Sequence, residues 1–256
     1  MPQCPPAHGL LAGRTVLVTA AAGTGIGSAT AQRCAEEGAR VVISDRHIRR
    51  LEETADELDR LTGTRPLARA CDVTDQAQVD RLFAEVGEAT GGIDVVVNNA
   101  GLGGTAEVAT MTDQQWYSVM DVTLNGTFRC TRAAVNHMVP RGGGVIINNA
   151  SVIGWRAQAG QAHYAAAKAG VMALTRCVAM EVAPQGIRVN AVAPSLVMHP
   201  NLSKVTSEEL LEELTAREAF GRSAEPWEVA NVIVFLASDY SSYLTGEVIS
   251  VSSQHP

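Results

Sequence analysis

Residues 15–38 read TVLVTAAAGTGIGSATAQRCAEEG, and this stretch decides the fold. TVLVT (15–19) is a β-branched, apolar run of the kind that is buried on both faces of a parallel sheet. Small residues and glycines follow it, and Gly25-Ile26-Gly27 opens an amphipathic segment over 26–37. Small residues let backbone amides approach a pyrophosphate, and the amino terminus of a helix favours an anion. A glycine-rich turn alone says little. Placed between a first strand and a helix, it reads as a dinucleotide cradle, with Gly23, Gly25 and Ile26 as the expected contacts.

The same rhythm runs outward from that turn to the carboxyl terminus. Strand-like runs recur at 40–44, 66–71, 94–98, 144–150, 187–193 and 247–251. Helix-like segments lie between them, around 47–61, 75–89, 112–138, 161–183 and 226–237, with Pro184 and Gly186 ending one of them. Alternation of this kind predicts parallel crossovers, and so a doubly wound α/β sheet of about seven strands with helices on both faces. No linker or repeat divides residues 14–256, which are expected to form one domain behind a Pro-rich tail (1–13). The segment 195–225 breaks the rhythm. An excursion just past a strand end is where such sheets carry a ligand cover, although a surface helical insertion fits as well.

Composition removes several functions. A net charge of −7 argues against a partner made of nucleic-acid backbone. No apolar run reaches the roughly 18 residues that span a bilayer, and the amino terminus lacks the pattern of a secretory signal. The five cysteines are scattered without metal-site or disulfide spacing, so no metal is expected and a cytoplasmic location fits reduced thiols.

Several residues carry chemistry. Asp45 ends the second strand-like region, where a carboxylate can accept from both ribose hydroxyls and repel a 2′-phosphate. It also stands where a helix N-cap would, and Arg46 beside it favours the phosphate, so NAD is expected ahead of NADP with Arg46 dissenting. Asp72 and Val73 follow the third strand, and Asn98-Asn99-Ala100-Gly101 closes the fourth at the crevice edge. Ser151 follows the fifth strand, and Tyr164 and Lys168 share one helical face at a spacing of four. A phenol with a reference pKa of about 10 holds its proton too tightly for exchange at neutral pH. A nearby ammonium lowers that value, so Tyr164 is expected to move a proton while Ser151 holds the substrate oxygen. A dinucleotide-binding protein without chemistry would not need this acid–base pair.

In this order, the glycine-rich turn, NNAG, Ser151 and YAAAK resemble the short-chain dehydrogenases/reductases over residues 10–251. The resemblance implies a single Rossmann domain and hydride transfer between NAD(P) and a secondary alcohol or ketone. It assigns Tyr164 as acid–base, Lys168 as its modifier and ribose ligand, and Ser151 as substrate orienter. Asp72, Val73 and Asn98 fall on the adenosine side and Val197 on the nicotinamide side, and Ala100 is a further expected cofactor contact. TAAAGTGIG, NASVIGWRAQ and HYAAAKAGVMALTRC further resemble bacterial sterol-degradation dehydrogenases that act on a ring of a CoA thioester. A linear 3-oxoacyl or 3-hydroxyacyl thioester is the alternative.

The chain departs from the family in four places. Ala20 replaces a glycine in a turn one residue longer than usual. Thr123 occupies the position of a fourth catalytic residue, His199 that of a threonine near the carboxamide, and VDGG reads Val251-Ser252-Ser253-Gln254. Trp155, Gln161, His163 and His199 are candidate substrate contacts by position, although a tryptophan there also fits a core or an interface, and a lone histidine more often serves structure. Lys204, Arg217 and Arg222 are candidates for CoA phosphates on the expected lid. The helix over 161–182 is apolar on nearly every face, which predicts cover by a second subunit and, with the family habit, a homotetramer. The NAD preference predicts catabolic oxidation.

Overall fold

The computed structural model describes residues 2–198 and 208–254, with 208–210 described by their backbone alone. Seven strands form one sheet: β1 (Thr15–Thr19), β2 (Arg40–Asp45), β3 (Leu67–Ala70), β4 (Val95–Asn98), β5 (Gly144–Asn149), β6 (Ile187–Pro194) and β7 (Val248–Val251). Their order is β3-β2-β1-β4-β5-β6-β7, and every neighbouring pair is parallel. The chain therefore winds outward from β1 in one direction and then in the other. The carboxyl ends of β1 and β4 meet where the winding reverses, which is where open α/β sheets bind ligands.

Alternation along each strand supplies both faces. Leu17, Val42, Val96, Ile146 and Val189 face α3 (Gln76–Thr90), α5 (Gly126–Met138) and α6 (Ala162–Val182). Val16, Val18, Ile43, Val97 and Ile147 face α1 (Ile26–Glu36), α2 (Ile48–Thr62) and the helix Pro226–Ala237. Each such buried side chain contributes about 1.5–3 kcal/mol of transfer free energy. In chain order the remaining helices are α4 (Asp113–Met120), before α5, and α7 (Glu208–Ala216), so that Pro226–Ala237 is α8.

The structure differs from the expected continuous helix over 112–138. A π-helical turn, Asp121–Asn125, separates α4 from α5. Within it the Thr123 hydroxyl leaves its own helix, accepting from the Leu102 amide (3.0 Å) and donating to the Leu102 carbonyl (3.2 Å). Just after it, a Cβ at Gly126 would lie 2.7 Å from the Val73 side chain, so α5 starts closer to Val73 than any other residue allows.

Residues 8–11 pack against the sheet domain. Leu11 is fully buried in the core, and its amide donates to the Glu37 carbonyl (3.0 Å). The His8 and Leu10 amides donate to the Glu37 carboxylate at 2.9 and 3.0 Å. Burial alone would raise the pKa of Glu37, but these amides and the Arg33 guanidinium outweigh it and hold the carboxyl below its ordinary value. Among the described residues, no helix is long and apolar enough to cross a membrane, and no cluster of His, Cys, Asp or Glu is arranged to hold a metal.

Candidate active site

The cradle begins where β1 ends. Ala20 has φ +50°, a left-handed conformation that costs a non-glycine residue about 1–2 kcal/mol, so the replaced glycine leaves local strain. Asp45 accepts from the Ala22 amide (3.4 Å) and the His47 amide (2.9 Å), which fixes its carboxylate beside the turn. His47, rather than Asp45, is the N-cap of α2. The Gly23 amide is taken up by the Thr54 hydroxyl (2.9 Å) and is not turned towards a phosphate. Gly25 is different: it caps α1 in an extended conformation, no side chain caps that helix, and a Cβ there would meet nothing within 4 Å. The first amides of α1, from Ile26 onward, thus open onto space that a pyrophosphate fits. Gly27 closes the other side, because a Cβ would lie 2.5 Å from both the Ala20 carbonyl oxygen and Asn99 Nδ2.

Asparagines join this turn to the centre of the sheet. Asn99 Nδ2 donates to the Thr19 and Ala20 carbonyls (3.2 and 3.0 Å), and its Oδ1 accepts from Asn149 Nδ2 (2.9 Å). Thr19 Oγ1 accepts from the Asn99 and Ala100 amides. One position earlier, Asn98 donates to Thr131 (3.0 Å) and to Asn148 (2.9 Å), and Asn148 donates to Thr175 (2.9 Å). Asn98 is therefore a buried tie between β4, β5 and two helices, with its side chain spent on protein partners rather than turned to a ligand. Sequence reasoning placed Asn99 at the crevice edge without its role as a tie, and missed Asn148, Asn149 and Thr19. The available signal was the doubled asparagine ending both apolar strands, at 98–99 and 148–149.

The backbone carbonyl of Asn149 accepts from Lys168 Nζ at 2.5 Å, and this Nζ lies 5.6 Å from the centre of the Tyr164 ring. Lys168 is buried, and burial brings its pKa down to about 8. Burial raises the Tyr164 phenol, while a hydrogen bond with the Ser151 side chain opposes part of that rise. Against the lowering expected from Lys168, burial sets the direction in this state. Ser151 is buried at the start of a short 3₁₀ turn, and its hydroxyl also accepts from the Ile153 amide (3.3 Å). The structure brings Ser151, Tyr164 and Lys168 together. The loop 101–104 runs over them: a Cβ at Gly101 would lie 3.4 Å from Lys168 Nζ, one at Gly103 4.0 Å from the Tyr164 ring, and one at Gly104 3.6 Å from His163. Thr123, through Leu102, pins that loop.

The other candidates are placed as follows. Arg46 is exposed, donates to His47, and borders a cavity of about 450 Å³ shared with Thr74, Tyr117 and Val122. Asp72 accepts from the Thr74 amide and hydroxyl, Val73 is buried against Gly126, and Ala100 is buried at the end of β4. Val197 is buried and bridges to Ala224. Trp155 is 43% exposed, which removes the core reading. Gln161 donates to Thr105 (3.3 Å), and His163 is buried, with its pKa lowered by that burial. Arg217 pairs with Glu213, and Arg222 is held by Glu228 through two bonds (2.7 and 2.8 Å). His199 and Lys204 lie outside the described residues.

A family model described as enoyl-(acyl carrier protein) reductase matches residues 20–253. The chain belongs to the short-chain dehydrogenase/reductase family. It is 64% identical over 251 residues, covering 97% of this chain and 95% of the relative, to a Mycobacterium tuberculosis protein. That relative is named (5R,7aS)-5-hydroxy-7a-methyl-1-oxo-2,3,5,6,7,7a-hexahydro-1H-indene-carboxyl-CoA reductase. A 3-oxoacyl-[acyl-carrier-protein] reductase of Thermotoga maritima is 41% identical, covering 94% of this chain and 97% of the relative. The crystal structure of a short chain dehydrogenase from Mycobacterium smegmatis superposes with a TM-score of 0.89 at 56% identity, covering 100% of this chain and 98% of that one. As a short-chain dehydrogenase/reductase, the protein is an oxidoreductase that acts on a CH–OH centre with a nicotinamide dinucleotide.

The cradle makes opposite demands of two glycines. Gly25→Ala is expected to keep stability within about 1 kcal/mol and to weaken dinucleotide binding at least about tenfold, because its Cβ fills space left for the phosphates. Gly27→Ala is expected to lose about 1–3 kcal/mol of stability as well, by overpacking. Thermal unfolding and a fluorescence titration check both; wild-type affinity in Gly25→Ala would contradict this placement of the cradle.

Proposed function

We propose that this chain is an NADH-dependent ketoreductase acting on an alicyclic ring of a CoA thioester. The juxtaposition of Ser151, Tyr164 and Lys168 beneath the 101–104 loop carries the proposal. The α1 amides would hold the pyrophosphate, Asp45 the adenosine ribose, and Lys168 the nicotinamide ribose. When bound, the dinucleotide supplies the hydride to the carbonyl carbon. Ser151 donates a hydrogen bond to the carbonyl oxygen, and Tyr164 delivers its phenolic proton to that oxygen as the carbon is reduced. The phenolate left behind is stabilised by the Lys168 ammonium, which the Asn149 carbonyl holds in place. Thr123 acts by holding Leu102, and its own hydroxyl is spent on that backbone.

Three observations support the details. Asp45, fixed by two amides, opposes a 2′-phosphate and favours NAD(H) over NADP(H). The Mycobacterium tuberculosis relative is named a reductase, which supports reduction of a ketone by the proposed chemistry. We therefore place the reaction in the reducing direction, against the oxidation that NAD preference alone had suggested. The exposed Trp155, four residues past Ser151, offers a flat apolar wall to a fused ring. The linear 3-oxoacyl thioester is the second reading, favoured by the Thermotoga maritima relative.

The same helix that carries Tyr164 supports assembly. Met180 is 79% exposed on α6, and Phe128 and Trp116 are exposed on α5 and α4. A homotetramer would cover these faces, and light scattering at micromolar concentration is expected to give four chains; a monomer would refute it.

Substrate and cofactor are tested together. kcat/KM should be at least about tenfold higher for a bicyclic ketone CoA thioester than for acetoacetyl-CoA, and NADH should bind more tightly than NADPH. A preference for acetoacetyl-CoA would promote the linear reading, and tighter NADPH binding would transfer the deciding role to Arg46.

A further inference from the structure

The carboxyl-terminal departure from the family pattern, Ser252-Ser253-Gln254, is built into a polar cluster beside the substrate loop. Its centre is Glu218, which is 4% exposed. Glu218 Oε2 accepts from Ser253 Oγ at 2.7 Å, and Oε1 accepts from Gln254 Nε2 at 2.7 Å and from the Leu196 amide at 3.4 Å. The Ala219 amide donates to the Ser253 carbonyl (3.3 Å). At its other end, Gln254 Oε1 accepts from the Arg156 guanidinium. Arg156 lies five residues past Ser151, and its amide is anchored to the Val152 carbonyl (2.9 Å). Leu196 is tied in turn to Ala224 (2.8 Å), and Val197 bridges to the same residue.

A side-chain amide donates from its nitrogen and accepts at its oxygen. Gln254 therefore answers a carboxylate and a guanidinium at once, which a glycine at this position cannot do. Three segments meet through it: the loop after Ser151, the chain leaving β6, and the stretch after α7.

We propose that Gln254 and Glu218 are positioning residues that brace the substrate wall, fixing the Trp155–Arg156 loop against Leu196–Val197. They touch neither the reacting atoms nor the dinucleotide cradle, so they set how well the substrate fits rather than how fast the proton moves. The choice of assay rests on the ketoreductase reading, but the brace itself does not.

The test is a swap. Gln254→Glu places two carboxylates together and should raise KM for the bicyclic ketone CoA thioester about tenfold, with kcat within about threefold of wild type. Adding Glu218→Gln restores an amide–carboxylate pair in the opposite sense, still facing Arg156, and should return KM to within about threefold of wild type. Hydrogen exchange at the Leu196 and Ala219 amides should quicken in the single variant and slow again in the double. This second readout needs no substrate, so it decides the brace even if wild-type protein reduces no ketone. Should Gln254→Glu fail to fold, Gln254→Ala takes its place in both measurements against Glu218→Gln/Gln254→Glu. Unchanged exchange, a defect that the second substitution does not rescue, or a change confined to kcat would each overturn the proposal.

Discussion

Asparagine amides at the carboxyl ends of β4 and β5 hold the site together. Parallel strands put Asn98 opposite Asn148 in register, and the next position brings Asn99 to Asn149. Asn99 reaches on to the Thr19 and Ala20 carbonyls, and Asn149 offers its own carbonyl to Lys168. One row of amides thus fixes the dinucleotide turn on one side and the Tyr164–Lys168 helix on the other. A shift of either strand by one residue would move Asn98 off Asn148 and Asn99 off Asn149, and both amide pairs would be lost. Register and site geometry are the same constraint.

Burial makes this row specific rather than merely stabilising. Asn98, Asn148, Thr131 and Thr175 are nearly inaccessible, and the chain of bonds through them ties α5 to α6 by way of β4 and β5. A buried amide that loses its partner costs about 1–3 kcal/mol, so helices set at the wrong spacing are penalised several times over. The π turn at Asp121–Asn125 belongs to the same arrangement. It turns Thr123 away from its helix to grip Leu102, and the loop 101–104 then lies over Lys168, Tyr164 and His163.

Strand positions, the helices on both faces and the cradle at Gly25-Ile26-Gly27 were legible because periodicity and glycine placement are local signals. So was the pairing of Tyr164 with Lys168, which needs only one helical turn. The role of Thr123 was not legible, because it depends on a residue 21 positions away and on a π turn that leaves no mark in apolar spacing. The Gly23 amide donating to Thr54 was hidden for a similar reason, since its partner on α2 lies 31 positions away. Lowering of the Tyr164 phenol by Lys168 was the expectation from charge alone, whereas burial, which raises it, is a property of the packed site.

In the proposed reaction, Tyr164 gives up its phenolic proton as the carbonyl is reduced. Single-turnover mixing of NADH-loaded protein with ketone, followed by the loss of reduced nicotinamide absorbance, measures that step directly. Tyr164→Phe keeps the ring and removes only the hydroxyl, so the rate should fall at least about a hundredfold while NADH affinity stays within about threefold. A single-turnover rate in Tyr164→Phe close to that of wild type would move the proton donor to another group.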